Sequence, residues 1–285
     1  MSIERQLERP LWYLLPSAAL FGVVTLFPLA WVAWLSLRQH SFVQAHSGFV
    51  GAENYLRMAG DVRFWNALGN TVYFTGFSVA LELVLGLIIA LLLHRATRGK
   101  GVLYAIVLIP WVVPTAVSAR MWEWMYNADL GVLNYMLHTH INWLGSPTWA
   151  LHAAIAMDVW KTTPFVALLL IAGLNSIPRD VYHAAALDGA GAWMVLRRVT
   201  LPLLAPFILV VLVFRTIDAF RVFDTLYVLT GGGPADTTET LSLYAYKMLF
   251  QALDLGYGSA IAVAVFACVA VTTVLYARLL RGALA

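Results

Sequence analysis

The chain alternates between long apolar runs and short polar ones. The first apolar run, Leu11 to Leu37, holds 27 residues without Asp, Glu, Lys or Arg. A secretory leader has an apolar region of ~7–15 residues, whereas a helix crossing a bilayer needs ~20. The run therefore predicts an uncleaved transmembrane helix. Further runs of spanning length lie at 70–93, 101–122, 149–176, 203–227 and 255–277. The fourth and fifth carry charges, yet both are long enough to cross. The pattern predicts an all-α membrane protein with six transmembrane helices in one domain, 1–285. The polar segments 38–64 and 123–148 are too short for a separate domain. They predict short interfacial helices, punctuated by Gly48, Gly51, Gly131 and Gly145.

Composition agrees. Hydrophobic residues make up 61% of the chain and charged residues 12%, against roughly 25% charged in soluble domains. The net charge of +3 comes without a basic tract, so nothing points to nucleic acid. Cys268 is the single cysteine and lies in an apolar run, which reads as a small buried hydrophobe with no disulfide or metal spacing. Orientation follows from loop lysines and arginines. With both termini cytoplasmic, Arg5, Arg9, Arg95, Arg98, Lys100, Arg179, Arg197, Arg198, Arg278 and Arg281 face inward; Arg38, Arg57, Arg63 and Lys247 face outward. Trp65, Trp122, Trp124, Trp143 and Trp149 then gather at the outer boundaries as an interfacial belt does.

The segment 177–202 interrupts this pattern with six ionisable residues in 26. Insertion scales charge ~2.5–3.5 kcal/mol for an Asp or Arg at a helix centre, so the segment is wet or docked onto protein. Pro178 suits the first turn of a short helix, and Val181, Tyr182, Ala185 and Ala186 give it a small apolar face. Gly189 and Gly191 end it, and Pro202 opens the next span, where a missing N–H is tolerated. Physics alone leaves two readings: insertion into a partner's cleft, or an intramolecular elbow.

The spacing resembles the "EAA" coupling loop, E-A-A-x-x-x-G-x9-I-x-L-P, of ABC importer membrane subunits. Ala184 and Ala185 match the alanines, Gly189 the glycine, and Val199, Thr200, Leu201 and Pro202 the distal element; Asp188, Gly189 and Ala190 form the common core. FVGAENY (49–55), NTVYFTGF (70–77), IPWVVP (109–114), IAGLNSIP (171–178) and FDTLYVLTGGGP (223–234) are similar to the carbohydrate-uptake, maltose/trehalose-type branch. The resemblance implies a type I importer permease fold paired with a second permease subunit, by family habit a different chain. It also implies two ATPase subunits that bind ATP and Mg, and an extracytoplasmic sugar-binding protein, at a bacterial cytoplasmic (inner) membrane. The family's glutamate is His183 here, so the ion pair it makes with the ATPase is replaced by what an imidazole can donate.

Asp158, Lys161, Arg215 and Asp218 lie inside the spans flanking this loop, with Arg221 and Asp224 nearer the outer mouth. Intramembrane charges face protein or water and suggest functional sites. Two readings stand: ion pairs pinning helices beside a hydrated cavity, or a polar wall for a sugar, whose hydroxyls need both donors and acceptors. By resemblance, the sugar site draws on Asp158, Lys161, Thr162 and Phe165 before the loop, and on Arg215, Asp218, Ala219 and Val222 after it. Phe165 and Trp160 are the aromatic candidates. Pro164 removes a helical N–H donor and predicts a kink or a covered distortion. Glu82, in mid-span without a sequence-near partner, reads as buried against another helix. The run Thr230–Pro234 reads as a flexible outer loop.

No G-x-x-x-x-G-K-[ST] occurs, so nucleotide chemistry falls to partner subunits. No H-E-x-x-H or G-x-S-x-G occurs either, and His138 with His140 is a weak metal pair. The expected function is the membrane subunit of an ATP-driven di- or oligosaccharide importer, not an enzyme and without a cofactor of its own. Cargo of the glycerol-phosphate or polyol type is the nearest alternative. An ion-coupled secondary transporter is a further one, although such carriers often show internal repeats.

Overall fold

The computed structural model describes residues 13–41, 47–96 and 98–284, with side chains to Arg278. Arg5, Arg9 and the side chain of Arg281, used above for orientation, lie outside the described residues. The chain clusters into two compact units, 1–61 with 244–266, and 62–243 with 267–285.

In the first unit, α1 (Tyr13–Ser36) is apolar on all sides, and its most apolar window buries nothing against the rest of the chain. Such a helix must meet lipid or another apolar surface. A hairpin follows, in which β1 (Arg38–His40) pairs antiparallel with β2 (Ser47–Phe49). Periodicity over three residues is too short to reveal a strand, and the interfacial helix expected across 38–64 is reduced to α2 (Glu53–Gly60). Asn54, in the FVGAENY run, donates from Nδ2 to the carbonyls of Ser36 at 2.9 Å and Arg38 at 3.0 Å. Tyr55 Oη meets Ser36 Oγ at 2.6 Å. Asn54 thus satisfies the Ser36 carbonyl at the C-terminal end of α1, an orphan of the helix, and ties it to β1.

The second unit is a helical bundle built on α3 (Val62–Arg95). After it come α4 (Lys100–Val112) and α5 (Thr115–Met125), bent 90° to each other. The sequence pattern predicted one straight span here. The break has a local cause: Pro114 clashes with a helical residue before it, and Val113 is extended at φ −65°, ψ 131°. The chain therefore has five helices of spanning length and composition, or six if this bent pair is one span. Short α6 (Val132–Leu137) precedes α7 (Ala150–Ser176), which is continuous through Pro164 and is the central helix, with 72% of its apolar window buried.

Pro178 caps α8 (Arg179–Leu187), and α9 (Ala192–Phe220) begins ten residues earlier than the expected start at Pro202. A π-turn at Leu196–Thr200 loosens the ladder just before Pro202, where the proline would otherwise break it. The predicted span 203–227 stops at Phe220, and α10 (Asp224–Leu229) follows as a separate turn. Beyond it come α11 (Leu241–Tyr246) and α12 (Leu255–Leu284), whose residues 244–266 belong to the first unit. Helices α3, α7 and α9 enclose a core that includes Ala90, Val166, Leu170, Leu174, Leu204 and Val211. Gly86 lets α3 and α7 approach: a Cβ there would lie 2.5 Å from Val166 Cγ1.

The run Thr230–Pro234 is not the loose loop its glycines suggested. Thr238 Oγ1 is 2.7 Å from Thr230 Oγ1 and 2.8 Å from the Gly233 carbonyl. Arg63 grips buried Glu239 through two contacts at 2.6 and 2.9 Å, and Asn70 donates to the Glu239 carbonyl at 3.0 Å. The first turns of α3 thereby hold the whole segment.

Candidate functional site

Three helices bring their buried charges to one point. Arg215 of α9 is 3% exposed and sits among three carboxylates. Its Nε and Nη2 donate to Glu82 of α3 at 2.6 and 2.9 Å. Nη2 also reaches Asp158 of α7 at 3.3 Å, and Nη1 reaches Asp218 at 2.5 Å. Glu82 is fully buried, whereas the Asp218 side chain is 61% exposed. The Thr162 hydroxyl lies 2.7 Å from Glu82 Oε1 and 2.6 Å from the Asp158 carbonyl. A guanidinium can serve three carboxylates because its five N–H groups point in a planar fork. Arg221 approaches the other oxygen of Asp218 at 3.8 Å.

Asp158, Thr162, Arg215 and Asp218 of this cluster line a cavity of about 730 Å³, with Glu82 buried behind them. All seven residues singled out for cargo, Asp158, Lys161, Thr162, Phe165, Arg215, Asp218 and Val222, line it. Ala219 lines it too. Lys161 makes no ion pair among the described residues; its Nζ is 3.5 Å from the Trp111 carbonyl. The opposing surface is aromatic: Trp111 stacks on Phe165 with ring centroids 5.7 Å apart and planes at 25°. Trp160, the other aromatic candidate, does not line the cavity and instead packs edge-on against Trp122 at 5.6 Å. The cavity thus presents the exposed carboxylate of Asp218, a donor on Lys161 and a flat apolar face.

Two members were missed. Glu82 was read correctly as buried against another helix, but its link to Arg215 spans 133 positions and leaves no mark at helical spacing. Trp111 was quoted within IPWVVP, yet only the break between α4 and α5 shows its carbonyl near Lys161. Asp158 and Lys161, three apart on α7, do not pair with each other; Asp158 turns to Arg215. His138 and His140 belong to no group able to hold a metal among the described residues.

The elbow is α8 and the turn after it. No residue of α8 is buried, and Leu187 is 89% exposed. The helix ends in paired capping bonds: Gly189 N–H donates to the Ala186 carbonyl at 3.1 Å and Ala190 N–H to the Ala185 carbonyl at 3.0 Å. Gly189 has φ +73°, the left-handed geometry this cap requires. His183 and Ala184 are exposed and Ala185 is half-buried, with Asp188 as the last half-helical residue.

Residues 82–284 match the family of binding-protein-dependent transport system inner membrane components. The chain belongs to this family. It is 46% identical over 280 residues to the trehalose/maltose transport system permease protein MalF of Thermococcus litoralis, covering 96% of this chain and 95% of that one. It is 40% identical over 283 residues to the trehalose transport system permease protein SugA of Mycobacterium tuberculosis, covering 98% and 92%. Its fold is similar to that of a bacterial ABC transporter that imports the acidic polysaccharide alginate, with a TM-score of 0.84 at 22% identity over 98% of both chains. As an inner membrane component of a transport system, the protein is a multi-pass transport subunit and not an enzyme.

Proposed function

We propose that this permease forms part of the pathway of an ATP-driven importer of a di- or oligosaccharide, with the cavity lined by α7, α9 and Trp111 of α4 as its cargo site. The single observation that carries this reading is the cavity's composition. Sugars present hydroxyls that donate and accept, and flat faces of C–H groups that lie on aromatic rings. Asp158, Asp218, Lys161 and Arg215 supply polar partners of both kinds, and the Trp111–Phe165 stack supplies the flat surface. Thr162 and Val222 complete the wall. The relatives named for trehalose and maltose give the same cargo class. A relative 39% identical is named for sulfoquinovosyl glycerol, and Lys161 suits such an anionic group, so acidic cargo is the second reading.

In this proposal α8 is the coupling helix. His183, Ala184 and Ala185 meet an ATPase subunit, and Asp188, Gly189 and Ala190 fix the helix end. ATP and Mg are bound by two such partners, since this chain has no phosphate-loop sequence. The remaining partners are a second permease, a different chain, and an extracytoplasmic sugar-binding protein. Both termini face the cytoplasm, and 177–202 is a loop of a single permease domain.

The test is ATP hydrolysis by the reconstituted complex with its binding protein and a panel of sugars. One sugar should stimulate hydrolysis, and Asp218→Asn with Lys161→Met should abolish that stimulation while leaving binding-protein affinity for the sugar intact. Uptake that follows a proton gradient and ignores ATP would refute the proposal.

A further inference from the structure

A second cavity, of about 620 Å³, lies apart from the charged cluster, where the end of α3 meets the start of α9. Its volume falls in the range of small-ligand sites, ~300–1,000 Å³. Ile88 and Leu92 of α3 and Trp193 and Leu196 of α9 make it mainly apolar. Leu92 is 65% exposed and Trp193 72%. Arg95, the last residue of α3, stands at its rim. Arg197 and Arg198 sit on the same π-turn as the lining residues Leu196 and Thr200, and Arg98 follows Arg95 by three positions. All four arginines are exposed, and none makes an ion pair among the described residues. The acidic residues of the elbow, Asp180 and Asp188, do not line the cavity.

An apolar slot lined by one arginine, Arg95, with two more on the helical turn that carries Leu196 and Thr200, matches one kind of molecule, long and greasy with an anionic head. The slot lies at the terminus of a spanning helix, where the hydrocarbon of a bilayer gives way to headgroups, and an exposed Trp193 is at home at that depth. Basic pockets between helices at that level hold anionic headgroups. We propose that this cavity binds an anionic phospholipid, one acyl chain between Leu92 and Trp193 and its phosphate against Arg95 and the Arg197–Arg198 turn. Because Tyr182 of α8 and Ala190 of the turn after it also line the cavity, an occupied slot braces the elbow from its membrane side.

The complex, with its partner subunits, would be delipidated in detergent and loaded with phosphatidylglycerol or phosphatidylcholine, and retained lipid counted by native mass spectrometry. Phosphatidylglycerol should be retained at least tenfold better. Arg95→Gln should cut that preference about fivefold, and adding Arg197→Gln should cut it about fivefold again. Equal retention of the two lipids, or an unchanged preference in both variants, overturns the proposal. A photoreactive phenylalanine analogue at Trp193 gives an independent readout in the intact complex. A lipid adduct supports the assignment. An adduct to an ATPase subunit or to the second permease alone overturns it, since the slot is then a protein interface. Neither readout depends on the identity of the cargo.

Discussion

Arg215 and Glu82 form the most buried pair in the charged cluster, joined by two contacts, yet replacing them one at a time should have unequal effects. Arg215→Met removes the cation from three carboxylates, of which Glu82 is fully buried and Asp158 is 10% exposed. At an effective dielectric of 20, one pair at 4 Å is worth about 4 kcal/mol. Breaking a buried pair typically costs 3–5 kcal/mol because the remaining charge is stranded. Arg215→Met strands two buried charges, so a loss at or above about 5 kcal/mol is expected. Glu82→Leu leaves Arg215 with Asp158 and Asp218 still in place, and should cost about 1–3 kcal/mol. The double variant removes the buried pair together and leaves only Asp158 stranded, so it should be more stable than Arg215→Met alone. The assay is a double-mutant cycle of denaturation midpoints, read by tryptophan fluorescence in one fixed detergent. If Glu82→Leu proves the more damaging single change, or if the two losses simply add, the cluster is not organised around Arg215.

Three further outcomes follow from single positions. Lys161→Met should raise the KM for uptake at least tenfold with little change in denaturation midpoint, because Lys161 has no ion pair to lose; a drop in stability equal to that of Arg215→Met would show that it is structural. Gly189→Val should strain the left-handed cap by about 1–2 kcal/mol and uncouple cargo-stimulated ATP hydrolysis from uptake in reconstituted vesicles, while Gly191→Ala, at φ −69°, should be nearly silent in the same assay. Gly86→Ala places a Cβ 2.5 Å from Val166 Cγ1 and 3.2 Å from the Ala167 backbone nitrogen, so overpacking should lower the denaturation midpoint by about 1–3 kcal/mol.

The spans were legible because each is a long apolar run, and hydropathy needs no partner to be read. Their interruptions were less so. Pro114 breaks a span through its effect on Val113, whereas Pro164 leaves α7 continuous and Pro202 is absorbed by a π-turn; three prolines in apolar runs thus have three outcomes that composition does not separate. The elbow was legible through Pro178 and Gly189, whose constraints act within a few residues. The cargo cavity was half legible. Its α7 and α9 residues stand near the loop in sequence, but Trp111 in its wall and Glu82 buried behind Arg215 come from elements far along the chain. The glycines of 231–233 suggested motion because the restraint, Arg63 on Glu239, is tertiary.

The same two helices that carry the cavity also carry the elbow. From Asp158 to Ser176, α7 rises about 27 Å at 1.5 Å per residue, nearly the ~30 Å hydrocarbon thickness of a bilayer. From Ala192 to Arg215, α9 covers about 35 Å on the way back. Pro178 and Gly191 flank the short α8 between them, so a push on α8 reaches the cavity along two continuous helices and not through loops. Arg215 then ties the far ends together, because its guanidinium bridges α9 to α7 through Asp158 and to α3 through Glu82. A displacement of the elbow that separates α7 from α9 must first weaken the contact with Asp158 at 3.3 Å, the longest of the three. Under the proposed coupling, that contact would part first, so Asp158→Asn should alter cargo-stimulated ATP hydrolysis more than Asp218→Asn does; equal effects of the two changes would refute this order.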